Sequence, residues 1–106
     1  MKTEERFRTD FPVVLAWADS AGGRQSLSAR CMDLSASGMR IETRDPLQVR
    51  LLTVVQSGHF GRMGHATVRY CRREGMKYSV GLQFSVAFGL GDPVRKQILE
   101  KVLSNF

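Results

Sequence analysis

The stretch DLSASG holds three residues suited to binding chemistry: the carboxylate of Asp33, the hydroxyl of Ser35, and Gly38 just ahead of an apolar-alternating segment. Two readings fit them. In the first they are turn chemistry, with Asp and Ser hydrogen-bonding nearby backbone N–H groups and Gly38 supplying a positive φ. In the second they are one half of a ligand clamp.

Other chemistry finds less support. His59 and His65 flank a Gly-rich segment, with no cysteine or aspartate at metal-ligand spacing, and are read as loop residues. No serine sits in a nucleophile-elbow motif, neither cysteine has a partner histidine, and no carboxylate pair stands out, so no catalytic residue is assigned. Cys31 and Cys71 fall inside strand-like segments and read as small buried residues of a reduced, cytoplasmic protein. Arg69, Arg72 and Arg73 surround Tyr70 as a basic–aromatic cluster. Alternation turns Arg69 away from Tyr70, which favours a solvated face over a nucleic-acid surface.

The chain has 106 residues, enough for one domain with one modest core. It is 42% hydrophobic and 25% charged, a globular composition. No apolar run approaches the ~18 residues of a membrane span, and the N-terminal MKTEERFRTD has no apolar core of a secretory signal. Sixteen Lys and Arg against ten Asp and Glu give a formal charge of +6, which favours polyanionic partners.

The positioning elements follow from periodicity. Strand patterns cover Pro12 to Ala18, Leu27 to Met32, GMRIET, Val49 to Gln56, Ala66 to Arg72 and Tyr78 to Phe84. Met39 and Ile41 point inward with Arg40 and Glu42 outward, and Trp17 joins the face of Val13 and Leu15 as core. DLSAS breaks the alternation, SGHFGRMGH reads as a hairpin connection, and Glu74-Gly75 marks a tight turn. Asp92 and Pro93 then cap a helix over 92–104, whose stripe of Val94, Ile98 and Val102 covers the barrel or meets a partner. Six strands joined by short turns predict an all-β, antiparallel six-stranded barrel or small sandwich, closed by a C-terminal helix.

DLSASG matches a D/N-x-S-x-x-G motif. With the strand order, the later VGLQF segment and an arginine-bearing N-terminal arm over 1–11, the whole chain resembles the PilZ domain family. The resemblance implies a barrel over 12–84 that binds the bacterial second messenger cyclic di-GMP, with Arg6, Arg8, Asp33, Ser35 and Gly38 as ligand-binding residues. The chemistry is consistent. Guanine presents two parallel N–H donors that Asp33 can accept at once, Ser35 can donate to a phosphate or base acceptor, and Gly38 lets the backbone approach. A closing arm would couple binding to a conformational change.

The arginine half departs from the family pattern R-x-x-x-R. With Arg6 in the first position, Asp10 occupies the second; with Arg6 in the second, Lys2 occupies the first. Asp10 either faces the ligand or pairs with Arg6 or Arg8. The expected function is therefore a non-enzymatic cyclic di-GMP receptor that signals by arm rearrangement or altered protein association. The alternative is a ligand-free PilZ-like module acting through protein contacts. A protein partner and a homodimer are both compatible with the sequence; nucleic acid is the remaining, less favoured partner, and no cofactor or metal is expected.

Overall fold

The computed structural model describes residues 6–58 and 61–85. These form β1 (Arg6–Ala18), β2 (Arg24–Ser35), β3 (Gly38–Thr43), β4 (Leu52–Ser57), β5 (Gly61–Glu74) and β6 (Lys77–Phe84). All pairings are antiparallel, in the order β1-β2-β3-β6-β5-β4. β1 pairs with both β2 and β4, so the sheet closes into a barrel. Closure leaves no edge strand in the ring. The expected helix over 92–104 lies outside the described residues.

Alternation fills the interior. Val13 and Leu15 from β1, Cys31 from β2, Ile41 from β3 and Val80 from β6 are essentially inaccessible to solvent, and Trp17 packs against them half-buried. Buried hydroxyls are satisfied by the barrel itself: Thr9 Oγ1 donates to the Cys31 carbonyl at 2.9 Å and Thr53 Oγ1 to the Ala66 carbonyl at 2.9 Å. The β5–β6 hairpin turns at Gly75-Met76, where Gly75 takes a φ of 66° that a two-residue loop demands.

Several boundaries differ from the sequence expectation. The first strand starts at Arg6, not Pro12, because the segment expected as an arm pairs with β2: Arg6 faces Ser35 and Arg8 faces Asp33. Likewise β2 continues through Asp33 to Ser35, and β5 begins at Gly61, absorbing much of the expected connection. β4 starts later, at Leu52.

Two irregularities aim the side chains that matter. Leu27, Ala29 and Cys31 face inward, so strict alternation would drive Asp33 into the core. Instead the register against β3 slips by one residue, Cys31 facing Ile41 and Asp33 facing Arg40. The extra β2 residue reverses the parity: Leu34 is fully buried and Asp33 turns to the outer face. A second slip lies in β5, where Val68 faces Leu82 but Tyr70 faces Gly81, leaving Arg69 as the unpaired residue.

Candidate functional site

The site is built on the β2–β3 hairpin and the start of β1. Asp33 is held from two sides: Arg6 Nη1 donates to its Oδ1 at 2.7 Å and Arg40 Nε to its Oδ2 at 2.8 Å. Its side chain remains 16% exposed, so the carboxylate is oriented yet reachable. The hydrogen bond to Asp33 raises the pKa of Arg40 further above its ordinary value and keeps this guanidinium charged. Arg8, exposed and directly opposite Asp33 across the strands, has no side-chain partner among the described residues. One carboxylate thus sits among three guanidiniums, and the surplus of positive charge invites an anion.

Ser35 is buried, with 1% exposure. Its Oγ accepts from Gly38 N and donates to Gly38 O, both at 3.3 Å, closing the loop from within. Gly38 itself does not adopt the positive φ that turn chemistry suggested. Its requirement is steric: a Cβ there would overlap the Leu82 carbonyl oxygen of β6. The loop is also anchored by Phe84, whose N–H donates to the Ser37 carbonyl at 2.7 Å. DLSASG and VGLQF, far apart in sequence, are therefore two sides of one construction.

Asp10 is not at this site. It accepts from Arg30 Nε at 2.6 Å, not from Arg6 or Arg8 as the sequence suggested. One extra β1 residue between Arg8 and Phe11, measured against β2, puts Asp10 in reach of β2 further down the barrel.

Beside the Asp33 cluster lies a cleft of about 220 Å3 whose walls include Arg6, Ser37, Gly38, Arg69, Tyr70 and Gln83. Sequence reasoning missed Arg40 as a site residue, although its outward position on the strand after the loop was a usable signal. It also separated Arg69 from Tyr70, which the bulge brings to the same cleft. Among the described residues no three His, Cys, Asp or Glu side chains come together to hold a metal ion. His65 lies in β5, and His59 is outside the described residues.

Comparison with known proteins agrees with this architecture. The family model for the PilZ domain matches residues 2–103, and the chain belongs to the PilZ domain family. Among solved structures, Escherichia coli YcgR in complex with c-di-GMP is similar at a TM-score of 0.67 and 18% identity, over 98% of this chain and 45% of that one. The PilZ domain of YcgR with c-di-GMP aligns at 0.65 and 17% identity, over 97% and 89%. The K. pneumonia MrkH–c-di-GMP complex aligns at 0.68 and 18%, over 99% and 53%. The chain thus spans about half the length of the YcgR and MrkH chains. No curated protein matches it in sequence. Among the described residues no helix is long and apolar enough to cross a membrane.

Proposed function

We propose that this PilZ domain is a receptor for cyclic di-GMP and not an enzyme. The observation that carries the reading is the Asp33 carboxylate, turned outward by a bulge and oriented by Arg40 and by Arg6, which also lines the neighbouring cleft. The c-di-GMP-bound state of the similar YcgR and MrkH structures supports it.

Each Asp33 oxygen accepts one arginine N–H and retains lone-pair capacity for another donor. A guanine edge approaching with its N1–H and N2–H meets both oxygens at once. Arg40 stays behind Asp33 and fixes its orientation. Arg6, 60% exposed, is free to leave Oδ1 for a phosphate oxygen, and Arg8 adds a second cation from the same strand. Gly38 keeps the loop backbone close to the barrel, and Ser35 holds the loop in shape from its buried position. Ligand binding then exchanges an Arg6–Asp33 contact for an Arg6–phosphate contact. That exchange pulls on the N-terminal end of β1 and alters the surface offered to a protein partner.

The carboxylate at position 10 favours a second reading, a PilZ module that works by protein contacts without nucleotide. Calorimetric titration of cyclic di-GMP, with GTP as the control, separates the two. Saturable binding of cyclic di-GMP alone is expected. Absence of heat up to about 100 μM, equivalent to about 5 kcal/mol of binding energy, would favour the ligand-free module.

A further inference from the structure

We propose that Arg69 is a phosphate-binding residue for the cyclic dinucleotide, supplying from β5 the cation that position 10 of β1 lacks. The inference rests on the receptor reading above and adds a residue outside the DLSASG loop and the N-terminal arginines.

Three observations meet at Arg69. It is the extra residue of the β5 bulge, so its side chain and that of Tyr70, consecutive in sequence, both line one cleft. Regular alternation would send them to opposite faces. Arg6, Ser37 and Gly38 line the same cleft, so Arg69 shares a cavity with the loop and the first arginine, whereas Asp10 is engaged with Arg30 elsewhere. Finally, Arg69 has no carboxylate partner among the described residues. Arg6, Arg30 and Arg40 each contact a carboxylate, but Arg69 Nη1 donates to the Gln83 side-chain carbonyl, a neutral acceptor. The amide fixes the direction of the guanidinium while leaving its full charge and its other N–H donors for an anion.

The glycines shape the space. A Cβ at Gly81 would overlap the Tyr70 ring, so the ring packs directly against the β6 backbone, in the wall of the cleft that Gly38 and Gly81 also line. A ligand with a guanine on Asp33 then extends its phosphate ring into the cleft, whose walls include both Arg6 and Arg69.

The test is calorimetric titration of cyclic di-GMP into the full chain and its Arg69→Ala, Arg69→Lys, Arg6→Ala and Arg62→Ala variants, with thermal midpoints measured alongside. Arg69→Ala should weaken binding by about ten- to a hundredfold. Arg69→Lys should fall between, keeping charge but losing the fork. Arg62→Ala, an exposed arginine of the same strand, should bind within about threefold of the unchanged protein, and the Arg69 variants should melt as it does. Unchanged affinity in Arg69→Ala while Arg6→Ala is weakened would overturn the Arg69 assignment alone. Equal losses in Arg62→Ala and Arg69→Ala would reduce it to diffuse surface charge and overturn it as well. If the unchanged protein itself shows no saturable binding, the receptor reading fails and this inference with it.

Discussion

Arg6 and Asp33, 27 residues apart in sequence, meet at 2.7 Å across the β1–β2 pairing, so the proposed ligand would have to rearrange an ion pair already in place. The pair is more than half exposed on the arginine side, and an exposed pair contributes only about 0–1 kcal/mol. A charge-assisted contact to phosphate is stronger, at about 1.5–3 kcal/mol. The exchange therefore favours binding, and Arg6→Ala should weaken cyclic di-GMP by about tenfold in calorimetry despite freeing one Asp33 oxygen. Tighter binding in the variant would mean that Arg6 acts as a competitor of the ligand.

Gly38→Ala tests whether steric approach or turn conformation makes the glycine necessary. With ordinary negative φ, alanine would be harmless if conformation alone mattered. Its Cβ would instead push against the Leu82 carbonyl, and the β3–β6 pairing has to open. A loss of about 1–3 kcal/mol in urea unfolding is expected, together with weaker ligand binding. An unfolding midpoint equal to that of the unchanged protein would refute the close packing.

Asp10→Asn addresses the residue that departs from the R-x-x-x-R pattern. Its partner is Arg30, with side-chain exposures of 65% and 50%. Removing this charge should change stability by less than about 1 kcal/mol and affinity by less than about threefold. A gain of about tenfold in affinity would show the carboxylate facing phosphate in the complex.

The thiols provide a check on the barrel interior. Cys31 is fully buried, and burial pushes its pKa up to about 12, opposed in part by the hydrogen bond from Thr9. It should resist a thiol reagent in the native protein at pH 8 and react only after denaturation, while the partly exposed Cys71 reacts first. An unfolded thiol ionises near 9.0, below the folded value, so the unfolded state loses its proton first and the Cys31 contribution to stability declines as pH rises above 9.0. Replacement by alanine should remove that decline in urea unfolding measured between pH 8 and 10.

Much of the barrel is legible from side-chain periodicity alone. GMRIET and the segment through Phe84 become β3 and β6 with the expected inward faces, because one-face burial writes a period of two into the chain. The site is less legible. Asp33 and Arg69 are aimed by single extra residues in β2 and β5, and a bulge leaves no local mark when the inserted residue is as ordinary as methionine or arginine. The first half of β1 is polar on its outer face, so its pairing with β2 sets its extent and no apolar run announces it. For the same reason, Asp10 could be assigned to Arg30 only after two strands were laid side by side.

The central claim is that cyclic di-GMP binds at Asp33 and displaces Arg6 from it. The most direct measurement is a titration followed by two-dimensional 1H–15N NMR of backbone amides and arginine Nε–H groups. Saturable shifts concentrated at Ser35–Met39 and at the Arg6 and Arg40 side chains, absent with GTP and lost in Asp33→Ala, are predicted. Saturable shifts elsewhere on the barrel with these groups unmoved, or no saturable shift at all, would contradict it.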